Sequence, residues 1–558
     1  MNAHEQDPPA VSSPASSLRP PDFDDALYLM LNQDVAGAVA AGAYASGEAH
    51  YLAHGAREGR RYLPPLDEPV LPQGPVVLSL ALLPAAPGFT PAPAARLMAH
   101  AVEALRVSAG GGVFVSGWID DAADPLLELR IEGEGWSTSL AGGMLARVRR
   151  RDVEAVVSTS EPHGFGFWSF AELGHPILRS RRCRVHLRTA RGVGVALDVE
   201  CRGIGDIELR SLVLAGLVEN DWFDSAWTAA GIGLDGGTGD QIVALNRRIT
   251  AGAVADPVVQ HFGPAGGTPT ASIIVCLYGR PEYLPLQCAL FAGGAGMEGC
   301  EFVYVSNSPD LADRLLRDAR IASLVHGTRI TLVLLSGNAG FAAANNVAMR
   351  YARSERIIIC NPDVIPLQPD WAQRHAELVA TLPAERTALF GLPLFYETGA
   401  LMHGGMYFEI DASVLTQPGG LAARETVRVQ HYGKGAPPDT ADYLRARPVP
   451  AVTGAFISCR RDVYERLGGF NEDYVFGHYE DADFCLRAIG LGITPWLHDV
   501  RMYHLEGQGS ARHAAQQGAM IVNRWLFART WAARVRDGLL GPEPSHKMMR
   551  TPAPRRRR

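Results

Sequence analysis

The chain has 558 residues, enough for three or four domains, and its 47% hydrophobic and 20% charged composition is that of a soluble globular protein. A formal net charge of −7 argues against a dedicated nucleic-acid-binding protein, because such domains are usually basic. The sequence shows no apolar run long enough to span a bilayer and no signal peptide at its start, and eight cysteines without a CxxC pair indicate free thiols. These features predict a cytoplasmic protein.

Two different patterns occupy the amino-terminal region. Residues 1–20 are rich in Pro, Ser and Ala and are predicted to be disordered. Residues 21–66 carry apolar side chains at helical spacing and are predicted to form a small helical module, with Ser46 as an N-cap. His50 and His54 share one predicted helical face, and without further ligands we interpret them as surface or packing residues.

The helical module resembles a short module of bacterial surface-polysaccharide and secreted proteins. The stretches that carry this resemblance are 28–35, with the pattern Tyr-Leu-x-x-Asn-x-Asp-Val, and 50–60, with the pattern His-Tyr-Leu-x-x-Gly-x-x-Glu-Gly-Arg. The resemblance implies a docking role.

Residues 73–215 change to short β-branched or alternating runs separated by Gly and Pro clusters. This pattern predicts an all-β domain, most simply a sandwich, with strands at 76–83, 112–119, 126–131, 183–187 and 193–199. Aromatic residues suit either a carbohydrate-binding face or core packing, which is the commoner use. Those of this region are Trp118, Trp136, Phe165, Phe167, Trp168 and Phe170.

The second half of the chain follows a predicted helical connector at 216–268, which includes a helix at 240–249. From 269 to 540 strands and helices alternate, with predicted strands at 272–277, 301–305, 330–335 and 357–360. Polar loops at the carboxyl ends of such strands are typical of a nucleotide-binding α/β sheet. Since neither GxGxxG nor GxxxxGK[ST] occurs, neither a dinucleotide-binding fold nor a P-loop is indicated.

The turn Asn361-Pro362-Asp363 directly follows the apolar strand at 357–360. The proline stops the strand and fixes the turn. Asp363 is therefore expected at the carboxyl end of a central strand, where open α/β sheets bind ligands. A carboxylate there suits a hard divalent cation that carries a phosphate. A strand-end turn with a solvated Asp is the plain alternative.

A second acidic group comprises Glu480, Asp481 and Asp483 at the start of a helix predicted at 481–489. The helix dipole favours acids at this end, which is sufficient for one or two of them. A general base also needs a carboxylate at a fixed point facing the reacting hydroxyl. The following run at 500–504 is predicted to be a strand that ends in His504.

Residues 271–535 resemble glycosyltransferase family 2, especially its rhamnosyltransferase-like branch. No single motif is specific, but their order along the chain is. The motifs are Ser272-Ile-Ile-Val, Asn338-Ala-Gly-Phe with Asn345-Asn346, Asn361-Pro-Asp363, Thr453-Gly-Ala, Gly468-Gly-Phe, Glu480-Asp481 and His504. The resemblance implies a GT-A fold, a nucleotide-diphosphate-sugar donor, a divalent metal (Mg or Mn) and inversion at the anomeric carbon.

The resemblance also implies residue roles. Asp363 would bind the metal, His504 would complete that site, and Asp481 would be the general base, with Glu480 and Asp483 as further candidates. The residues expected around the nucleotide sugar are Tyr278, Arg280, Ser306, Asn307, Asn338, Asn345, Asn346, Thr453 and Gly454.

Two positions depart from the family pattern. Ser306 stands where the family usually has an acid after the second strand, and Asn361 replaces the first acid of Asp-x-Asp, a variant familiar in the rhamnosyltransferase-like branch. A catalytically inactive sugar-binding or scaffold protein is therefore the alternative. A sugar nucleotidyltransferase ranks lower, because the loop at 276–281 lacks a Gly-rich, basic phosphate loop.

The resemblance further implies a glycan or lipid-linked glycan acceptor in bacterial surface polysaccharide biosynthesis. The segment 521–535 interleaves Trp525 and Trp531 with arginines, and we favour packing on the α/β domain over peripheral contact with the inner face of the membrane. The basic tail at 541–558 is predicted to be disordered, with at most weak binding to anionic lipid.

Overall fold

The computed structural model describes residues 25, 28–29, 32–55, 99–148, 150–157, 164–177, 180–218, 233–417, 420–505 and 514–538. The segments predicted to be disordered at 1–20 and 541–558, and the strand predicted at 76–83, lie outside these residues. The chain divides into two compact units, Met1–Leu80 and Ala81–Arg558.

In the first unit, two short helices precede one wider helical turn: α1 (Gln33–Ala40), α2 (Gly47–His50) and Tyr51–Gly55. The predicted N-cap is confirmed, because the Ser46 side chain accepts a hydrogen bond from the backbone N–H of Ala49 at 3.1 Å. His50 is buried with its Nδ1 3.0 Å from the hydroxyl of Tyr28, whereas His54 is exposed. His50 is thus a packing residue of this unit.

The second unit begins with a β region that also contains helix α3 (Arg151–Val157). Its strands are β1 (His100–Ser108), β2 (Gly112–Ile119), β3 (Leu126–Gly133), β4 (Trp136–Ala141), β5 (Ala146–Val148), β6 (Gly166–Glu172), β7 (Arg182–Thr189), β8 (Gly194–Glu200) and β9 (Arg202–Ile204). They form two sheets, ordered β5-β6-β2-β1-β9 and β4-β3-β7-β8. Inward-facing residues of both sheets, such as Val115 and Val185, share one core.

The aromatic residues of the β region are mostly interior. Trp136, Phe165, Phe167, Trp168 and Phe170 are all buried, and Trp118 is partly buried. Because these rings pack against other protein atoms, they do not form an exposed stacking face for a sugar.

Helices and strands then alternate through the α/β region. The helices are α4 (Asp206–Gly216), α5 (Gly239–Val254), α6 (Tyr283–Ala292), α7 (Ala312–His326), α8 (Gly340–Met349), α9 (Trp371–Thr381), α10 (Ala384–Thr387), α11 (Ala441–Leu444), α12 (Arg461–Arg466), α13 (Glu480–Gly490) and α14 (Ala514–Arg536). The strands are β10 (Val258–Phe262), β11 (Ala271–Leu277), β12 (Cys300–Ser306), β13 (Arg329–Leu334), β14 (Arg356–Cys360), β15 (Val364–Pro366), β16 (Leu389–Gly391), β17 (Leu394–Phe395), β18 (Leu401–His403), β19 (Met406–Gln417), β20 (Gly420–His431), β21 (Arg447–Pro448), β22 (Phe456–Arg460), β23 (Trp496–Leu497) and β24 (Met502–His504).

The main sheet has the order β10-β13-β12-β11-β14-β22-β16-β23-β21. Strands β13, β12, β11 and β14 are mutually parallel, which confirms the α/β class and the four predicted strands. The sheet is buried on both faces, because Ile273 packs into one apolar core and Ile274 into the other. Burial on both faces explains why these strands read as continuous apolar runs in the sequence.

Three features of this region differ from a simple reading of the sequence. Strand β10 lies within the range assigned to the helical connector, yet it pairs antiparallel with β13 at the edge of the sheet. The long hairpin β19–β20 and a second sheet of order β15-β24-β17-β18 were not predicted. Helix α4 begins within the predicted β domain, and its residue Leu214 shares a core with Trp525 of α14.

Helix α14 carries its tryptophans inward. Trp525 and Trp531 are 3% and 6% exposed, and their indole N–H groups donate hydrogen bonds to Asp235 and Asp483 at 2.7 and 2.9 Å. The helix therefore packs on the domain, as favoured from the sequence. In the part of the chain that the structure describes, no helix is long and apolar enough to cross a membrane.

Candidate functional site

Parallel strands place their carboxyl ends at the same edge of the main sheet. Strands β11, β12, β13 and β14 are followed there by the loops that start at Tyr278, Asn307, Leu335 and Asn361. Polar side chains from distant parts of the sequence meet at this edge because the strand directions and register are fixed by the apolar core.

Asp363 and His504 are brought together by two short strands. Val364 pairs with His504 in the antiparallel contact of β15 with β24, and Leu505 N–H donates to the Asp363 carbonyl oxygen at 3.1 Å. The Asp363 Oδ1 and His504 Nε2 atoms are 3.3 Å apart, and Nε2 also lies 3.4 Å from Asn361 Nδ2. The buried His504 ring has its other nitrogen, Nδ1, 3.1 Å from the sulfur of Met402. Asp363 and His504, which were predicted to bind a metal together, therefore lie next to each other.

This pair has the chemistry of a partial metal site. A carboxylate oxygen and an imidazole nitrogen both bind Mn²⁺, and Mg²⁺ is commonly held by one or two carboxylates together with substrate phosphates. Among the residues that the structure describes, no group of three or more His, Cys, Asp or Glu side chains is arranged to hold a metal ion. Asp363 and His504 fit a cation whose remaining ligands come from a bound diphosphate and from water.

Tyr278 and Arg280 lie at the mouth of this edge. The Tyr278 ring is 46% exposed, and the Arg280 guanidinium is paired with Glu282 and stands 5.4 Å from the centre of the Tyr283 ring. The negative charge of Asp363 contributes to raising the pKa of Tyr283, after burial, which is the larger cause. Tyr278 is thus accessible, and Arg280, which is partly exposed, lies within electrostatic reach of Asp363.

Ser306, Asn307 and Asn338 are tied into the loops after β12 and β13. The Ser306 hydroxyl accepts a hydrogen bond from the Ser308 N–H at 3.2 Å. The Asn307 side chain accepts from Ala339 N–H at 3.0 Å and donates to the Gly340 carbonyl at 3.2 Å. Asn338 Oδ1 accepts from Gly340 N–H at 2.9 Å. These side chains shape the loop that leads into α8.

The two predicted asparagines of α8 have different environments. Asn345 is fully buried, its Nδ2 donates to the Phe341 carbonyl at 2.8 Å, and its Oδ1 has no hydrogen-bond partner. Asn346 instead holds the loop around Phe470: its Oδ1 accepts from the Tyr464 hydroxyl at 2.6 Å and from Phe470 N–H at 2.9 Å, and its Nδ2 donates to the Phe470 carbonyl. Asn346 thus has a latch role between α8 and that loop.

Asp481 is bound to the backbone at the start of α13. Its Oδ2 accepts from Gly454 N–H at 2.7 Å, and its Oδ1 accepts from Ala482 N–H at 2.8 Å. A Cβ added at Gly454 would lie 3.3 Å from the Phe341 ring and 3.4 Å from the Asp481 Cβ, so glycine allows this close approach. The same loop reaches Asn361, whose N–H donates to the Ala455 carbonyl at 3.0 Å. The loop at 453–455 thus connects Asp481 with the turn that carries Asp363.

Glu480 and Asp483 differ in their surroundings. Glu480 is buried, and no described residue forms a hydrogen bond with its Oε2. Asp483 is buried too, but it accepts from Arg487 Nε at 2.7 Å and from the Trp531 indole at 2.9 Å. Both oxygens of Asp483 are engaged by structural partners inside the domain.

Burial raises the pKa values of the Glu480 and Asp481 carboxyls. It raises the pKa of Glu480 well above its usual value, and the neighbouring Asp481 charge adds to this increase. Burial also raises the pKa of Asp481, but the hydrogen bonds from Gly454 and Ala482 counteract it. Glu480 therefore retains its proton to higher pH, and Asp481 is the better candidate for the ionised member of the pair.

A strained segment immediately precedes these acids. Phe476, His478 and Tyr479 have φ values of 61°, 80° and 76°, in the left-handed region that non-glycine residues rarely occupy. The Phe476 carbonyl accepts a hydrogen bond from Phe341 N–H, which links the segment to α8. Sequence reasoning missed this segment, because backbone strain at bulky residues has no local sequence signal.

Comparisons with known proteins give partial likenesses. No protein-family model matches the chain. The chain is 27% identical over 251 residues to an uncharacterized protein, y4gI, of Sinorhizobium fredii, covering 44% of this chain and 25% of that one. It is 26% identical over 280 residues to the O-antigen biosynthesis protein RfbC of Myxococcus xanthus, covering 48% and 20%. The aligned region thus spans a quarter or less of the length of these curated relatives.

Among solved structures, the chain is similar to a mannosyltransferase, PcManGT, from Pyrobaculum calidifontis in complex with GDP-Man and Mn²⁺, with 16% identity and a TM-score of 0.30 over 59% of this chain and 85% of that one. GalNAc-T7 with UDP, GalNAc and Mn²⁺ has 14% identity and a TM-score of 0.32 over 46% and 48%. S. aureus TarS 1-349 has 13% identity and a TM-score of 0.30 over 50% and 77%.

Proposed function

We propose that this protein is an inverting, metal-dependent glycosyltransferase that moves a sugar from a nucleoside-diphosphate donor to a hydroxyl of a glycan. One observation carries the proposal. Asp363 and His504, at the end of a parallel strand, are joined by the 453–455 loop to Asp481, whose carboxylate is bound to Gly454 N–H. Sugar transfer needs both groups, one for the leaving diphosphate and one for the incoming hydroxyl.

The donor occupies the carboxyl edge of the parallel strands in this proposal. Tyr278 and Arg280 contact the nucleotide, since both are accessible at the mouth of that edge. Asn307 and Asn338 act by shaping the loop into α8, because their side-chain oxygens accept from the N–H groups of Ala339 and Gly340 at the start of that helix. Thr453 and Gly454 line the side toward the acceptor.

Asp363 and His504 hold the divalent cation, with Asn361 beside them. When bound, such a cation neutralises the charge that develops on the leaving diphosphate. The protein contributes the position of these two side chains, which the pairing of β15 with β24 fixes.

Asp481 acts as the general base. The acceptor hydroxyl gives its proton to the Asp481 carboxylate while its oxygen forms a bond to the anomeric carbon. The bond from that carbon to the diphosphate oxygen breaks, and its electron pair leaves with the nucleoside diphosphate. A single displacement of this kind inverts the configuration at the anomeric carbon. Glu480 remains protonated beside the base, and Asp483 has a structural role.

Surface polysaccharide biosynthesis is the proposed setting, with a glycan or lipid-linked glycan as acceptor. The 26% identity with RfbC of Myxococcus xanthus, which is named for O-antigen biosynthesis, supports this part of the proposal. Since the chain covers 20% of that protein, the setting is inferred for the aligned region only.

The donor site can be tested by thermal shift with UDP, GDP and dTDP, each with and without Mn²⁺, on the wild type and on Asp363→Asn. One nucleotide at about 100 times its Kd should stabilise the wild type by about 2.7 kcal/mol when Mn²⁺ is present. Asp363→Asn should lose most of this shift, whereas Asp462→Asn, which removes an exposed carboxylate paired with Arg460, should retain it. A well-folded wild type that responds to none of the nucleotides would contradict the proposal.

A sugar-binding or scaffold protein without transfer activity is the second candidate. It is favoured by Ser306, whose buried hydroxyl bonds to Ser308 where the family resemblance leads one to expect an acid, and by Asn361. A nucleotide shift without any consumption of the matching nucleotide sugar, under conditions where an acceptor glycan is supplied, would favour this candidate.

A further inference from the structure

The strained segment Val475–Tyr479 has few means of holding its own conformation. Three of its five residues have positive φ, and a non-glycine residue in that region is held only when its surroundings enforce it. The segment leads directly into Glu480 and Asp481, and Tyr479 is the residue that caps α13. Whatever holds the segment therefore also sets the position of the two carboxylates.

Asn523, in the middle of α14, makes most of the side-chain contacts to this segment. It is fully buried, and its Oδ1 accepts from Val475 N–H at 2.7 Å. Its Nδ2 lies 3.0 Å from the Val475 carbonyl, 2.7 Å from the Gly477 carbonyl and 3.1 Å from the His478 carbonyl. A single buried amide thus contacts backbone groups of Val475, Gly477 and His478, and the Val475 carbonyl also accepts from Gly477 N–H at 2.7 Å.

A second contact comes from α4. The Arg210 guanidinium stands 4.5 Å from the centre of the Phe476 ring, within the range of a cation–π interaction. Arg210 is 3% exposed, its Nη1 donates to Asn246 Oδ1 at 2.8 Å, and its Nε has no partner. Burial lowers the pKa of Arg210 to about 10. Among the described residues Arg210 donates to an amide oxygen, and its contact with the Phe476 ring offsets part of the cost of burying its charge.

Apolar packing joins these two helices beneath the segment. The buried side chain of Val475 lies in the same core as Leu214 of α4, Val522 of α14 and Phe170 of the β region. The segment therefore rests on a core built by elements that lie outside the main sheet. Farther along α14, Trp531 also donates to Asp483, so the same helix contacts α13 at a second point.

We propose that Asn523 is a positioning residue that fixes the strained segment Val475–Tyr479, and with it the carboxylates of Glu480 and Asp481. Arg210 supports the same segment through the Phe476 ring. The expected effect on kcat rests on the proposed function. The positioning of the segment by Asn523 is inferred from the contacts alone. In this proposal both α14 and α4 help to position Asp481, the proposed general base.

The first arm of the test measures hydrogen exchange of the amides at 475–481 in Asn523→Ala, Arg210→Met and Thr530→Ala. Thr530 is exposed on the same helix and donates to the Leu526 carbonyl, so Thr530→Ala is the matched control. Asn523→Ala should accelerate exchange in this segment by about tenfold or more, with a smaller increase in Arg210→Met. Exchange in β12, at 300–306, is the internal reference and should stay unchanged, as should the whole profile of Thr530→Ala.

The second arm compares kcat with KM for whichever nucleotide sugar the wild type consumes. Asn523→Ala should lower kcat by about tenfold or more, because a misplaced base loses its alignment with the acceptor, and leave the donor KM within about threefold. A general loss of folded protein would lower the active fraction without this split between kcat and KM.

Several outcomes would overturn the inference. Unchanged exchange at 475–481 in both variants would do so, as would equal acceleration at 300–306, since that indicates general destabilisation. Faster exchange of the segment with an unchanged kcat would reject the link to the base. A wild type that binds no nucleotide contradicts the proposed function instead, and the exchange arm then decides the positioning role by itself.

Discussion

Two acidic positions of this protein are built in different ways. Asp363 follows β14 and is held by strand pairing within the α/β region, through neighbours in the same sheets. Asp481 follows a strained segment that is held from α14, with a second contact from α4. The first position depends on sheet register, whereas the second depends on Asn523, 42 residues after Asp481, and on Arg210, 271 residues before it. Function at the two positions should therefore respond differently to mutation.

The largest difference is expected from Asp481→Asn. An amide keeps the shape and can accept from Gly454 N–H, but it cannot take a proton from the acceptor. We expect kcat to fall by about 10²–10⁴-fold, while nucleotide binding at the Asp363 position is retained. Steady-state rates of donor consumption and thermal shift with Mn²⁺ and the preferred nucleotide measure the two effects. Retention of kcat within a few-fold would remove Asp481 from the base role.

Asp483→Asn should affect stability rather than turnover. It weakens the ion pair with Arg487, whose side chain is 26% exposed and also donates to the Leu467 and Gly469 carbonyls, and we expect a loss of about 3 kcal/mol of unfolding free energy. Urea denaturation measures this loss. Asp473→Asn breaks a more exposed pair with Arg247 and should cost less than about 1 kcal/mol. A stable Asp483→Asn variant with greatly reduced kcat would instead place Asp483 among the catalytic groups.

Asn346→Ala tests whether an asparagine expected at the nucleotide is a structural latch. Removing its amide leaves the Phe470 backbone groups without their partners, and we expect a loss of about 2 kcal/mol in unfolding free energy. The Kd for the preferred nucleotide, measured by calorimetry well below the variant's Tm, should change little. A weakened Kd with unchanged stability would return Asn346 to the nucleotide site.

The smallest expected effect, counted per pH unit, is the contribution of the Glu480 carboxyl to the pH dependence of stability. Its folded pKa is raised above the ordinary value of 4.5, so the folded protein keeps a proton that the unfolded chain loses. The stability that this proton contributes is complete below the unfolded pKa and is lost as pH rises toward the folded pKa.

Glu480→Gln removes this titration. Between pH 5 and 7 the wild type should lose up to about 1.4 kcal/mol of unfolding free energy per pH unit on account of Glu480, and the variant should lack that component of the slope. Urea denaturation at pH 5, 6 and 7 compares the two proteins. Parallel stability curves would mean that the Glu480 carboxyl ionises normally.

The contrast between the two positions also explains what the sequence could predict. The strands β11 to β14 were predictable, because a sheet buried on both faces requires continuous apolar runs. The turn at Asp363 was predictable because Pro362 ends the strand locally. The adjacency of Asp363 and His504 was expected only from the family resemblance, since 140 residues separate them and no local rule pairs them.

The contacts that position Asp481 could not be predicted, because the residues that make them are far from it in sequence. Asn523 stands in the apolar run Ile521-Val522-Asn523, and a polar residue in such a run suggests a buried hydrogen bond without naming the partner. Arg210 is one of several arginines on its stretch of chain, and nothing local separates it from exposed ones. The same limit applies to Asn346, whose helical spacing indicates its place on α8 but not its bonds to Phe470.

The order of these elements along the chain has a consequence for synthesis. Asp363 is translated 160 residues before Asn523, which at about 5–20 residues per second is a delay of roughly 8–30 s. During that interval a nascent chain already contains β11 to β14 and Asp363, but His504, which lies against Asp363, is translated only 19 residues before Asn523. The parallel strands are therefore synthesised well before either acidic position has all of its partners, and both positions are completed late in translation.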